Sequence, residues 1–206
     1  MKVRLVAMAL ICAAPAAASD RTDIPASMKS DSSGELPPRV KASGTAFRTI
    51  AWSDDKGDNL AVFSTTTKTK SKGAATLQSK SIFVDLFVGK DGRYRKGRTV
   101  REVVANCDRD LTNEFLDTSV VVSDLDDNGV GELTFAYRWT CRGDVAPADM
   151  KLVVIEGPRT YVLRGTTRVR PGGGAPVGGD FAAEFTGAPP KFLEHASKAW
   201  KRFVDE

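Results

Sequence analysis

The sequence predicts a mainly β protein, an antiparallel sheet or sandwich of hairpins, carrying one C-terminal α-helix. Three observations predict it. Short apolar runs between residues 47 and 169 come in pairs around polar, mostly Gly-containing turns, which is the pattern of hairpins. Only near the end does the apolar spacing become helical, at Phe192, Ala196, Ala199 and Phe203. Two cysteines, Cys107 and Cys141, lie in the body of the chain behind an export-type N-terminus, where a disulfide is chemically at home.

The chain opens with Lys2 and Arg4, an apolar run from Leu5 to Ala14, and the small residues of PAAASD. Ala16-Ala17-Ala18 fits the small-x-small cleavage pattern, with the cut before Ser19 or Asp20. Residues 1–19 are therefore expected to be a secretory signal peptide, too short for a stable membrane span. The protein is expected to be exported and soluble, in the periplasm or outside the cell. Cys12 lies in the apolar run, but Ile11 precedes it where a lipoprotein signal needs a small residue. Residues 20–44, rich in Ser, Asp, Pro and Lys, read as a flexible leader that cannot offset its ordering entropy. Residues 45–206 then form a single β-rich domain with the helix at its end. The formal charge of +4 falls to +2 without Lys2 and Arg4, too weak a bias to argue for nucleic acid. No other apolar run is long enough to cross a bilayer.

The elements follow in order. AFRTIAW and LAVFSTTT flank the turn SDDKGDN, a first hairpin. TKTKSKGAATLQSK reads as a polar excursion. SIFVDLFV and YRKGRTVREVV flank GKDGR, a second hairpin, and FLDTSVVVSDL and ELTFAYRWT flank an acidic loop. MKLVVIEGPRTYVLRGTTRV turns at Glu156-Gly157-Pro158. PGGGAPVGGD lacks the strand-to-helix setting of a phosphate cradle and reads as a connector. After Pro189-Pro190, Leu193 and Trp200 widen the helical stripe, and proline is tolerated in a first helical turn. Cys107 and Cys141 are expected to bridge, the alternative being two buried thiols. A closed loop of about 35 residues corresponds to roughly 4 kcal/mol on loop-entropy reasoning.

The acidic loop has a cation-binding spacing. Counting from Asp124, side-chain oxygens fall at positions 1, 3, 5 and 9: Asp124, Asp126, Asn128 and Glu132. Gly129 is sixth, where a tight turn needs a permissive backbone, and Val130 is seventh, where calcium loops use a main-chain carbonyl. Calcium takes six to eight such oxygens. Asp127, at an even position, is expected to face solvent. A helix-loop-helix sensor would need Glu at position 12, where Phe135 stands in a strand pattern. The loop instead resembles the strand-loop-strand calcium loops of FG-GAP-type repeats, written Asp-x-Asp/Asn-x-Asp/Asn-Gly-x-x-Asp/Glu. Those repeats build propellers, and this chain has no internal repetition to make one. A structural Ca2+ is the expected ligand; the alternative is a hairpin whose acids are solvated or capping.

More widely, the chain resembles an exported bacterial family labelled surface polysaccharide biosynthesis protein. WSDDKGDN, SDLDDNGVGELTFAYRWTCRGDVAPADMKLVVIEG, YVLRGTT and PPKFLEHASKAW carry the resemblance, from Trp52 to Trp200. It implies a role at the cell envelope connected with surface glycans, and it supplies no catalytic residues.

Other residues with chemical potential are few. His195 is the single histidine and sits on the helix, which argues against catalytic zinc or a Ser-His-Asp triad. Asp54, Asp55, Asp58 and Glu114 are carboxylates that a glycosidase could pair across a cleft. Arg93, Arg95 and Arg98 lead a basic run that could meet anionic sugars or phosphates, or merely solvate an edge strand. Arg142-Gly143-Asp144 spells an adhesion tripeptide, a match common by chance. The expected function is thus a non-enzymatic envelope protein associated with surface polysaccharide. The alternatives are a periplasmic protein-binding or inhibitor module and a glycan-active hydrolase.

Overall fold

The structure, a computed structural model, describes residues 35–73 and 75–206. The expected signal peptide and the leader up to residue 34 lie outside the described residues. Four strands form a first sheet in the order β1-β2-β3-β4: β1 (Thr45–Asp54), β2 (Gly57–Lys72), β3 (Ala75–Lys90) and β4 (Arg93–Cys107). The chain then crosses to a second sheet through β5 (Asp110–Phe115), β6 (Val121–Ser123), β7 (Glu132–Arg142), β8 (Asp149–Glu156) and β9 (Arg159–Thr166). A short ribbon, β10 (Arg168–Val169) with β11 (Val177–Gly178), leads to β12 (Phe181–Glu184) and helix α1 (Pro190–Phe203). The second sheet runs β12-β9-β8-β7-β5, with β6 also on β7, and the strands pair antiparallel. The predicted class, mainly β with a C-terminal helix, is the one observed.

Turn chemistry sets the hairpins. Asp91 and Gly92 both take positive φ between Lys90 and Arg93, the primed turn that follows strand twist. Gly157, at φ 49°, opens the β8–β9 turn ahead of Pro158. The polar excursion expected over 67–80 is instead strand: β2 and β3 stay paired out to Lys72 and Ala75. Its threonines alternate with lysines, so pleating keeps both sets hydrated and the β-branched residues hold extended backbone.

Side-chain alternation builds three apolar layers. Ile50, Phe63, Ile82 and Val84 of the first sheet meet Phe115, Leu133, Phe135 and Val153 of the second, forming the sandwich core. Phe63 stands edge-on to both Phe115, at 5.1 Å, and Phe135, at 5.8 Å, the arrangement aromatic quadrupoles favour. The opposite face of the second sheet, with Met150, Leu152, Val154 and Leu163, is covered by Phe192, Ala196 and Trp200 of α1. The outer face of the first sheet keeps a smaller cluster, where Leu60, Val62 and Phe87 receive Val40.

That last contact revises the leader's end. Residues 40–44 were expected to be free, yet Val40 is buried and Ser43 bonds the Asp85 carboxylate twice, through its N–H at 2.6 Å and its hydroxyl at 2.8 Å. Asp85 is fully buried and also takes Thr99 Oγ1 at 2.5 Å and Lys96 Nζ at 2.6 Å. Burial alone would raise its pKa, but the Lys96 ammonium and the hydroxyl and amide donors outweigh it and hold the carboxyl below its usual range.

Cys107 and Cys141 form the expected disulfide. Because β4 belongs to the first sheet and β7 to the second, the bridge joins the two sheets rather than the two arms of one hairpin. Among the described residues, no helix is long and apolar enough to cross a membrane.

Candidate metal centre

The acidic loop joins β6 to β7, and strand alternation explains what it delivers. Leu133, Phe135 and Tyr137 point into the sandwich core, so Glu132, Thr134 and Ala136 point to the helix side. Register sets Ser123 of β6 directly opposite Glu132, and Glu156 of β8 opposite it on the other flank. Two acids in direct cross-strand register repel. Glu132 is nonetheless fully buried.

The loop then folds Asp124 and Asp126 toward it, so that one oxygen from each of the three carboxyl groups lies within 4.8 Å of the others. Part of this cluster is satisfied by backbone. Asp124 accepts the N–H groups of Asn128 at 3.0 Å and Gly129 at 2.9 Å, and Glu132 Oε2 accepts that of Leu125 at 2.7 Å. The rest is not. Glu132 Oε1, Asp126 Oδ1 and Ser123 Oγ are buried and have no hydrogen-bond partner among the described residues. Burial pushes the Glu132 carboxyl up to about 8; the Leu125 N–H opposes this, and the charges of Asp126, Asp124 and Glu156 add to it. Without a cation the Glu132 carboxyl therefore keeps its proton at neutral pH, whereas a cation bound among the three acids would let it ionise. The donor set is all hard oxygen, which suits Ca2+ and Mg2+ rather than softer ions.

The other predicted positions divide. Gly129 takes φ 78° as the turn requires, and a Cβ there would sit 2.2 Å from the Asp55 carboxylate. Asp127 is exposed, also at positive φ, and pairs outward with Lys191 of α1 at 2.8 Å. Asn128 braces the loop: its amide donates to Glu156 at 2.8 Å and its oxygen accepts the Val130 N–H at 2.8 Å. Val130 is half-buried beside it.

Sequence reasoning missed the contribution of the β1–β2 turn. Asp54 Oδ2 accepts the Gly131 N–H at 3.0 Å and Trp52 Nε1 at 3.1 Å, while the Asp55 N–H donates to the Gly129 carbonyl at 2.9 Å. The turn of the first sheet therefore clasps the acidic loop of the second. The acids of SDDKGDN were visible, but a contact across 77 residues leaves no local signal.

The remaining candidates have structural work. Asp54 also accepts the Lys56 N–H, Asp58 accepts the Ser53 hydroxyl, and Glu114 pairs with Arg138 at 2.8 Å. His195 meets the Thr134 hydroxyl at 3.2 Å on the covered face of the second sheet. Arg93 and Arg95 are exposed. Arg98 is not available to an anion: its guanidinium donates to the carbonyls of Gly157, Pro158 and Arg159 and to the Thr160 hydroxyl, between 2.6 and 3.1 Å. Arg142 pairs with Glu206 at 2.6 Å, which draws the first residue of the Arg-Gly-Asp triplet into the fold. The chain matches no protein-family model, no curated protein and no solved structure at a significant level.

Proposed function

We propose that this is an exported, non-enzymatic envelope domain stabilised by one Ca2+ ion, acting by binding at the cell surface rather than by chemistry. The observation that carries the metal is the fully buried Glu132, whose free oxygen faces no donor among the described residues while Asp124 and Asp126 crowd it. Asp124, Asp126 and Glu132 would hold the ion, with Asp54 and Asn128 fixing the loop around them. Bound, the ion supplies charge compensation and rigidity. The hydrolase alternative has less support, because of the four carboxylates it could pair, Asp54, Asp58 and Glu114 are each engaged in the fold, leaving Asp55 without a second carboxylate to work with. The envelope setting and the link to surface polysaccharide rest on the signal-like N-terminus and on the family resemblance. They are tested by fractionating cells that express the protein and by probing a glycan array with and without calcium. Periplasmic or surface recovery with glycan retention supports the reading. Cytoplasmic recovery overturns the envelope setting. Recovery in the periplasm with capture of a protein and no glycan favours the protein-binding alternative.

A further inference from the structure

We infer that the outer face of the first sheet is a docking surface for an anionic phospholipid bilayer. In β2, Leu60, Val62 and Ser64 face outward, toward the cluster around Val40 and the Gly44 N–H, while Ala61 and Phe63 enter the sandwich core. The β2–β3 register runs without a bulge to the tip, so Lys68, Lys70 and Lys72 all continue the outward face. They stand about 7 Å apart in one row. The same face carries Arg101 of β4, directly opposite Phe83 with its guanidinium 5.7 Å from the ring centre. From Lys72 to the Arg101 rung is eight residues, roughly 26 Å of positive strip.

The charge of the arm is concentrated on this side. Residues 59–84 contain no acid at all. The reverse face of the arm shows Thr67, Thr69, Ser71, Thr76 and Gln78, with Lys80 as its one cation. Lysines that merely kept an edge strand soluble would have no reason to segregate. Lys68, Lys70 and Lys72 are exposed and make no ion pair among the described residues. The edge of the arm is open as well: β2 runs seven residues, Thr66 to Lys72, past its last pairing with β1 at Thr65.

Two features point to a bilayer over a soluble polyanion. Leu77, half-buried, lies directly across from Lys70, with Lys68 and Lys72 on its diagonals and Ala75 beside it. Ammonium groups around an apolar residue match a headgroup boundary, where lysine stems reach outward to phosphates and the apolar side chain enters the acyl edge. Single-stranded nucleic acid would instead stack its bases on aromatic side chains; the lysine arm from Thr66 to Lys72 carries none, and Phe83 at its base has the Arg101 guanidinium over its ring.

The test is co-sedimentation of the protein with vesicles of phosphatidylcholine alone or with about 30% phosphatidylglycerol, across about 25 to 300 mM NaCl. Binding should require the anionic lipid and fall with salt. Replacing Lys68, Lys70 and Lys72 together by Ser should weaken it about a hundredfold, near fivefold per charge, whereas Lys80→Ser, on the reverse face, should weaken it less than about twofold. Circular dichroism and melting show that each variant folds. Leu77→Ser should weaken vesicle binding but leave retention on a short oligothymidylate unchanged. A Lys80→Ser loss as large as that from Lys70→Ser alone, or no binding to anionic vesicles, overturns the proposal. Tighter binding to the oligonucleotide than to vesicles, with Leu77→Ser inert on both, would make the face a soluble-polyanion site instead.

Discussion

At the scale of residues, two buried carboxyl groups illustrate opposite solutions to one problem. Asp85 is compensated by Lys96, Thr99 and Ser43, and its pKa is held down. Glu132 has no cation beside it among the described residues, and burial, with the charges of Asp126, Asp124 and Glu156 adding to it, pushes its pKa up to about 8. Each makes a prediction. Asp85→Ala should destabilise the protein by about 3 kcal/mol, since Lys96, Ser43 and Thr99 lose their common acceptor. Lys96→Met should also be costly, because it leaves the fully buried Asp85 carboxylate without its cation. Denaturant unfolding checks both. For Glu132 the sign runs the other way. Its folded pKa lies above its unfolded value of 4.5, so the folded state holds the proton longer. With chelator present, the melting temperature should therefore fall as pH rises from about 5 to 8. Saturating calcium should remove that fall, and Glu132→Gln should flatten it without calcium. Scanning calorimetry over this pH range decides it. The oxygens at positions 1, 3 and 9 were legible in the sequence because a tight loop brings alternate residues to one point. The roles of Ser123 and Glu156 were not, since they reach Glu132 only through cross-strand register.

At the scale of elements, the hairpins and the terminal helix could be read from apolar period and turn residues, and the Lys/Thr arm could not. Its pattern alternates between two polar classes, so hydrophobic period is silent there. Arg98 misleads for a related reason: it belongs to a basic run in sequence but is drawn off by the β8–β9 turn of the other sheet. The disulfide and the helix each join layers, and each should matter accordingly. Reducing Cys107–Cys141 should lower unfolding free energy by roughly 4 kcal/mol, measured in denaturant with and without reductant. Trp200→Ala should cost about 3–5 kcal/mol. The indole is buried under the second sheet and also donates to the Gly179 carbonyl at 3.0 Å, so its loss loosens both helix and glycine-rich segment.

At the scale of the whole molecule, the acidic centre sits where three parts meet. The loop belongs to the second sheet, Asp54 and Asp55 reach it from the first, and Lys191 reaches it from the helix. A cation there would stiffen the junction of all three, raising stability by about 2.7 kcal/mol when free calcium is a hundredfold above Kd. The most direct measurement is isothermal titration of the chelator-treated protein with calcium at pH 7.5. The wild type should bind one ion. Asp124→Ala and Glu132→Gln should abolish or greatly weaken binding, and Asp127→Ala, whose side chain faces Lys191, should leave it largely intact. A wild-type protein that gives no binding at millimolar calcium, or an Asp127→Ala loss equal to that of Asp124→Ala, would contradict the account.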